Sequence, residues 1–340
     1  MVYKVVMTRA AYPGLPRDLD TYRSLGAQFS SVGCRTEEEI IAAARDADVI
    51  ISAMQPVTRR VIEKLERCRL ICLIGIGYEG VDLQAATEHG ILVANVPDYC
   101  QEEVSDHTMA LLLACARKLL PVVDAVRAGK WDSMEKLEIR TRVWPPMFRL
   151  RGQTLGIVGL GRIGRAVVPK AQGFGLKVIA YSRSPVEKDA QTTGVERVSL
   201  ERLLAESDYV SLHCNLTREN RHLIGREQLR RMKPTAYLIN TARGALVDEA
   251  ALYEALGQGL IAGAALDVTD PEPPRPDSPL FSFPNVILCA HSAHYSEQSA
   301  ADLRRGIEEN VFQVLRGGWP RGLLNPEAKE RYSAKWAKAG

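Results

Sequence analysis

The chain has no apolar run long enough to cross a bilayer, so no membrane-spanning role is expected. Its opening V-Y-K-V-V-M reads as a first strand and is too short for the apolar core of a signal peptide, so no leader is expected. The seven cysteines contain no C-x-x-C spacing, and no metal site is expected. Several of them sit inside apolar runs, where Cys behaves as a small hydrophobe. An odd number without a leader points to a reducing compartment, and a cytoplasmic location is expected. The formal net charge of +3 is too small to imply a nucleic-acid or anionic-membrane partner. Basic residues cluster at Arg230–Arg231 and loosely at Arg140, Arg142, Arg149 and Arg151, and these read as solvated faces. No internal repeat of short fixed period is present. What remains is ordinary globular composition, 46% hydrophobic and 25% charged, over 340 residues. That length suits two domains with ample core.

The first hundred residues alternate strand-like and helix-like segments. Strands are predicted at Val2–Met7, Val49–Ser52, Leu70–Gly75 and Ile91–Val96. Thr36, with Glu39 three residues on, reads as a capping box opening a helix to Ala44. Further helices are predicted over Arg59–Cys68 and over Asp82–His89, the latter closed by Gly90. A longer helical period covers Glu102–Leu120 and is interrupted by Pro121. Residues 131–150 have no clean period and read as an arm or loop, with Trp131, Trp144, Met147 and Phe148 facing a partner subunit or filling core.

From residue 154 the alternation resumes. Strands are predicted at Thr154–Val158, Lys177–Tyr181, Tyr209–His213, Tyr237–Asn240, Ile261–Asp267 and Val286–Cys289. Helices are predicted over Arg165–Ala171, Leu200–Ala205, Asp248–Leu256 and Glu297–Leu315, and the polar tail after Pro326 reads as loosely held. Alternating β and α implies parallel, doubly wound sheets.

Within this pattern, T-L-G-I-V-G-L-G-R-I-G carries the most chemistry. A β-branched run ends at Gly159, Gly161 and Gly164 complete G-x-G-x-x-G, and a helix-forming stretch follows. That strand–turn–helix context signifies dinucleotide binding. Gly159 permits the tight turn, Gly161 lets a pyrophosphate approach the backbone, and Gly164 lets helix and strand pack. The helix N-terminus presents N–H groups and partial positive charge to the phosphates. The motif starts near the middle of the chain, so a unit of domain size precedes it.

Three polar clusters follow, each just past a predicted strand end, where open α/β sheets place ligands. The first is N-T-A-R-G, Asn240 to Gly244, whose Arg243 can present a two-bond fork to a carboxylate. The second is D-V-T-D-P-E-P-P, Asp267 to Pro274, which holds Glu272 between prolines. The third, A-H-S-A-H-Y-S-E, offers His291 as an acid or base. Each alone has a structural reading: an ion-paired Arg; an acidic, Pro-rich surface loop, which that stretch by itself favours; a satisfied His, at least as good a reading as the catalytic one. Together they describe a proton-transfer site. A carboxylate bonded to an imidazole fixes its tautomer and favours the charged ring. That ring can protonate a carbonyl oxygen as hydride reaches the carbon.

In chain order, G-I-G-Y-E-G-V-D (Gly75–Asp82), N-V-P (Asn95–Pro97), G-L-G-R-I-G, N-T-A-R-G-A-L-V-D-E, G-A-A-L-D-V-x-x-x-E-P and the late His291 resemble the D-2-hydroxyacid dehydrogenase (D-isomer specific) family, from about residue 70 to 326. H-x-A-x-Y-S-E-Q, N-V-P-D-Y-C-Q-E-E-V-S-D-H and L-H-C-N-L-T resemble the branch that includes the C-terminal-binding proteins. The resemblance implies two Rossmann-like, doubly wound α/β domains with the cofactor domain inserted into the substrate domain. Residues 1–101 plus 296–340 would be the flavodoxin-like substrate domain and 102–295 the NAD(P)-binding domain. It further implies that Arg243 binds substrate carboxylate and carbonyl, Glu272 supports the imidazole and His291 donates the proton. The Ile76–Gly77 backbone would receive the carboxylate. Gly159, Gly161, Arg162, Ile163, Gly164 and Thr108 would meet the cofactor phosphates, and His213, Cys214, Thr241, Ala242 and Asp267 would line the nicotinamide side. A homodimer built through the cofactor domains is implied too.

Two positions depart from that pattern. The second cofactor-domain strand ends Y-S-R-S, Tyr181 to Ser184, where NAD-using members resemble Y-D. Ser182 removes the carboxylate that would repel a 2′-phosphate and Arg183 supplies a partner for it, so NADP is expected, with NAD as the alternative. His294 stands where the branch usually has Trp and is expected either to face substrate or to cap the following helix. The expected activity is NAD(P)-dependent reduction of a small 2-oxoacid to its 2-hydroxyacid, with glyoxylate or hydroxypyruvate as candidates. The alternative is a dinucleotide-sensing, corepressor-like binding protein with weak turnover.

Overall fold

Short β-branched and leucine-rich runs set the framework of two α/β units. The computed structural model describes residues 2–9, 20–24, 26–53, 55–131, 139–183 and 194–336. Residues 132–138 of the arm, Ser184 and residues 337–340 of the tail lie outside the described residues. The chain divides into two compact units, Met1–Tyr99 with Tyr295–Gly340, and Cys100–His294.

In the first unit the strands are β1 (Tyr3–Met7), β2 (Ala27–Ser31), β3 (Val49–Ser52), β4 (Leu70–Leu73) and β5 (Leu92–Ala94). Among the described residues they form one parallel sheet of order β2-β1-β3-β4-β5, the flavodoxin-like winding. β3 and β4 are buried at every position, as strands covered on both faces must be. Helix Glu37–Ala44 opens with the predicted box: Thr36 accepts from Glu39 N–H, and Glu39 reaches back. Helix Glu297–Leu315 packs Leu303, Ile307, Val311 and Val314 into the unit and starts at Ser296, whose hydroxyl accepts from Ser299 N–H.

The second unit holds β6 (Thr154–Val158), β7 (Lys177–Tyr181), β8 (Glu196–Arg197), β9 (Tyr209–Leu212), β10 (Tyr237–Asn240), β11 (Gly263–Leu266) and β12 (Val286–Leu288). Their parallel order is β12-β11-β10-β9-β6-β7-β8. Strand order reverses at β6, with β7 on one side and β9 on the other, and ligands of such sheets bind at that switch point. Both faces are covered, one by Leu203, Leu229, Leu252 and Leu256, the other by Met109, Leu112, Val167 and Val168.

Several expectations are corrected. Arg59–Cys68 is helical only over Arg59–Ile62. Beyond it, Glu66 N–H donates to Arg45 O at 2.8 Å, a partner outside the helix. The long helix runs Gln101–Ala116 and breaks at Lys118, φ 48°, before Pro121. Pro121 instead lies in the first turn of the next helix, Leu119–Arg127, where a missing N–H costs no helical bond. The tail after Pro326 is not loose: Lys329–Trp336 is helical, Tyr332 is buried, and the Arg69 guanidinium lies 4.1 Å from the Trp336 ring centroid. β2 and β8 were not expected at all.

Candidate functional site

The C-terminal edge of the second sheet collects the predicted chemistry. After β6, Gly159 has φ +100°, a conformation L side chains rarely adopt. A Cβ there would also lie 2.6 Å from Cys214 N and 2.8 Å from His213 C, so the glycine admits the neighbouring loop as well as making the turn. A Cβ on Gly164 would lie 2.3 Å from Gly159 O, which is the close helix–strand approach expected. At Gly161 a Cβ would meet nothing within 4 Å. The emptiness at Gly161 is an open cradle at the N-terminus of helix Arg162–Gly173, whose first N–H groups have no intrahelical partner. The first helical N–H groups there are those of Arg162 and Ile163, an arrangement into which a dinucleotide pyrophosphate would fit.

β7 ends beside this turn, with Tyr181 O accepting from Gly159 N–H at 2.7 Å. Ser182 O accepts from the Arg197 guanidinium at 2.6 Å. Arg183 is exposed, and its Nη2 reaches Thr217 Oγ1 at 3.5 Å. Glu219 is held below the usual carboxylate range first by the Thr217 hydroxyl, then by its own backbone N–H and by cations that include Arg183.

On the far side of the switch point the edge is made of side chains. The ladder continues past the strand ends: Asp267 N–H donates to Asn240 O at 2.9 Å, and His291 N–H to Asp267 O at 2.8 Å. Neighbouring strands lie about 5 Å apart, so the loops after β10, β11 and β12 fall within about 10 Å. Asn240 pins the first of them. Its Nδ2 donates to Arg243 O at 2.8 Å and its Oδ1 accepts from Ala242 N–H at 3.0 Å. Arg243 is half-buried, with Nη1 donating to Ala242 O at 2.6 Å. Gly244 follows because a Cβ would sit 2.0 Å from Thr269 O, so this loop rests directly on the loop that carries Glu272. Asp270 N–H donates to Glu249 Oε1 at 2.8 Å, and Arg221 pairs with Asp270 at 2.7 Å, fixing that second loop.

His291 Nδ1 and Glu272 Oε1 are 2.6 Å apart, with the two side chains 33% and 28% exposed. A carboxylate can only accept, so Nδ1 carries the proton and Nε2 is the atom left to exchange one. The ring remains accessible enough to meet a substrate. His291 has φ +52°, a left-handed backbone position uncommon outside glycine and a frequent mark of functional sites. Asp267, 2% exposed, anchors that turn by accepting from Ser292 N–H at 2.9 Å and Ala293 N–H at 3.1 Å.

The remaining predicted residues fall as follows. Thr108 is fully buried; its hydroxyl donates to Val104 O at 2.8 Å and meets Thr241 Oγ1 at 3.0 Å, so it positions Thr241. His213 Nε2 lies 2.8 Å from Ser211 Oγ, and burial pulls its pKa down to about 4, which keeps the ring neutral. Burial first, and its own backbone and Arg183 less, set the Cys214 thiol, whose pKa is raised. His294 packs edge-on against His291 with centroids 5.8 Å apart, and burial followed by His291 lowers its pKa. It does not cap the next helix; Ser296 does. Ile76 and Gly77 belong to the other unit, where Asn95 Nδ2 donates to Ile76 O at 2.6 Å and holds that loop. Asn240, Glu249, Asn95 and Gly244 were not singled out from sequence as site supports. An asparagine or glycine at the end of an apolar run was the available signal. A cavity of about 300 Å³ opens near Gln153, Tyr209, Tyr237 and Asn285, at the opposite strand ends, and its lining includes none of the acid–base residues.

Residues 109–293 match the family model described as D-isomer specific 2-hydroxyacid dehydrogenase, NAD binding domain. The chain is 42% identical over 297 residues to a glyoxylate reductase of Korarchaeum cryptofilum, covering 86% of this chain and 87% of that protein. Among solved structures, it is similar to D-lactate dehydrogenase from Aquifex aeolicus complexed with NAD and lactic acid, at TM-score 0.81 and 29% identity over 94% of this chain and 99% of that one. It is also similar to an acyclic imino acid reductase in complex with NADPH and D-Arg, at TM-score 0.82 and 29% identity over 94% and 99% of the two chains.

Proposed function

Because the chain belongs to the D-isomer specific 2-hydroxyacid dehydrogenase family, we propose that it reduces a small 2-oxoacid, glyoxylate or hydroxypyruvate, to the 2-hydroxyacid with NADPH. The bound nicotinamide cofactor supplies the hydride. The observation that carries the reading is the 2.6 Å contact between His291 Nδ1 and Glu272 Oε1 on the ligand-binding edge of the sheet. With Nδ1 committed to Glu272, Nε2 gives its proton to the substrate carbonyl oxygen as hydride adds to the carbon, and the carboxylate stabilises the imidazolium that precedes transfer. Arg243 holds the carboxylate and polarises the carbonyl through its fork. Thr241, Ala242, Asp267, His213 and Cys214 line the nicotinamide side, and His294 borders substrate.

NADPH is favoured by Ser182 and the exposed Arg183 at the end of β7. The dinucleotide-sensor reading is disfavoured by the paired His291 and Glu272, which a pure sensor does not need. A homodimer through the second unit is supported by the apolar side chains of Leu119, Leu120, Trp131, Trp144 and Phe148, which are 42–79% exposed in the single chain; sedimentation reads it directly.

Oxidation of NADPH and NADH with a panel of 2-oxoacids, followed by absorbance, tests the proposal. NADPH should be preferred, and Arg183→Ala should lower its kcat/KM by about 10- to 100-fold, the weight of one charged hydrogen bond, with little change for NADH. Tight cofactor binding without turnover on any 2-oxoacid would leave the sensor reading in its place.

A further inference from the structure

Behind the acid–base turn, three side chains converge that carry no proton in the reaction proposed above. His107 comes from helix Gln101–Ala116, Asp267 from the end of β11 and Cys289 from just past β12. Their nitrogen, oxygen and sulfur atoms all lie within 4.8 Å of one another. His107 Nε2 is 3.7 Å from Asp267 Oδ1 and, though shielded from solvent, makes no hydrogen bond among the described residues. A shielded ring nitrogen without a hydrogen bond is uncommon and calls for a missing partner. The Asp267 side chain is 1% exposed; Ser292 N–H and, at 3.5 Å, the Ser292 hydroxyl donate to Oδ1, and Ala293 N–H donates to Oδ2, which leaves Oδ2 a lone pair open.

We propose that His107, Asp267 and Cys289 form a binding site for a thiophilic divalent cation such as Zn²⁺ or Cd²⁺. Zinc takes imidazole, carboxylate and thiolate together at about 2.0–2.3 Å, so tetrahedral ligand atoms stand roughly 3.3–3.8 Å apart. The His107–Asp267 edge is already 3.7 Å. The sulfur needs to close by on the order of 1 Å, a side-chain rotation. Asp267 and the thiolate together neutralise the ion's charge, and the thiol proton is released to solvent on binding. Three protein ligands leave the fourth position to water. Spacing along the chain could not reveal the trio, because its members come from three elements far apart in sequence.

Filling this site inhibits the enzyme, a consequence that rests on the dehydrogenase reading. Asp267 holds the Ser292 and Ala293 N–H groups, and drawing its carboxylate toward a cation loosens the turn that carries His291.

Titration of the cofactor-free protein with Cd²⁺, followed by thiolate-to-cadmium charge-transfer absorbance in the ultraviolet, tests the site without any turnover. One equivalent should produce the band in the wild type, Cys289→Ser should abolish it, and His107→Asn should weaken cadmium binding by about 10-fold or more. No band in the wild type, or a band surviving in Cys289→Ser, overturns the site. In the reductase assay, Zn²⁺ should inhibit the wild type, and Cys289→Ser should resist. Undiminished turnover with the cadmium band fully developed overturns the inhibitory step. Should no 2-oxoacid be reduced at all, the proposed function fails while the absorbance readout still judges the site.

Discussion

The turn after β6 and the loops after β10, β11 and β12 occupy one edge of the same sheet, yet they are built by opposite means. The turn works by what it omits. Gly159, Gly161 and Gly164 supply a left-handed backbone, an open cradle and a close helix–strand approach, with no side chain involved. The opposite loops work by what they hold. Asn240, Asp267 and Glu249 each spend side-chain hydrogen bonds on neighbouring backbone so that Arg243, Glu272 and His291 keep fixed positions. Backbone recognition suits a phosphate group that varies little between dinucleotides, whereas proton transfer needs titratable side chains in a defined geometry.

The sharpest way to separate the two regions is His291→Ala. It removes the proposed proton donor and leaves the glycine turn untouched. kcat for 2-oxoacid reduction should fall by a factor on the order of 10² to 10⁴, while the dissociation constant for NADPH, read by fluorescence, stays within about twofold. An unchanged kcat removes His291 from the mechanism. Equal losses in both quantities would mean that the two regions act as one.

The reverse experiment addresses the glycines. Gly161→Ala places a methyl where the protein has open space, so stability should hold while NADPH affinity drops by about 5- to 100-fold, the cost of one overpacked contact. Gly159→Ala adds a methyl 2.6 Å from Cys214 N at φ +100°, so it should lower unfolding free energy by about 2–4 kcal/mol in denaturant titration. If both variants lose stability alike, the open cradle at Gly161 is not what distinguishes them.

The same contrast decides how much could be read from the sequence. The glycine turn is contiguous, and the positive φ of Gly159 and the close approach of Gly164 to Gly159 O are local features that spacing anticipates, whereas the approach of the His213–Cys214 loop to Gly159 is not. The acid–base edge is assembled from loops spread over residues 240–294, and each piece alone has a structural reading. What linked them was strand order, which the alternation of elements implied, and the ladder from Asn240 to Asp267 to His291, which it did not. The missed strands have ordinary causes. β2 is an edge strand of sequence A-Q-F-S-S whose alternation rests on two apolar residues alone, and β8 is the charged pair Glu196–Arg197, so neither gives a strong strand signal. The helix after Arg59 stops at Ile62: Lys64 and Leu65 N–H turn to Val61 O and Ile62 O, three residues back, and Glu66 N–H then goes to Arg45 O, a tertiary bond no local pattern records. His107 went unremarked for a related reason: on its own helix it is one polar residue among many, and only the fold sets it against Asp267.

His213 joins the two regions, since its loop is what a side chain at Gly159 would strike. Burial lowers its pKa from 6.5 to about 4. Above pH 6.5 the ring is neutral whether the chain is folded or not, and it adds no pH dependence. As pH falls from about 6.5 toward 4, the unfolded chain binds a proton that the folded one refuses, so stability declines; below about 4 both states bind it and the decline stops. The shift is worth about 3 kcal/mol at most over that window. His213→Gln keeps an amide beside Ser211 Oγ and cannot titrate, so its unfolding free energy should lose less between pH 7 and pH 4.5 than that of the wild type. Coincident slopes would show that the ring takes up its proton in the folded state as readily as in the unfolded one. The loop beneath the glycine turn would then be open to water rather than packed against it, and the turn would depend less on its neighbour than the 2.6 Å approach to Cys214 N implies.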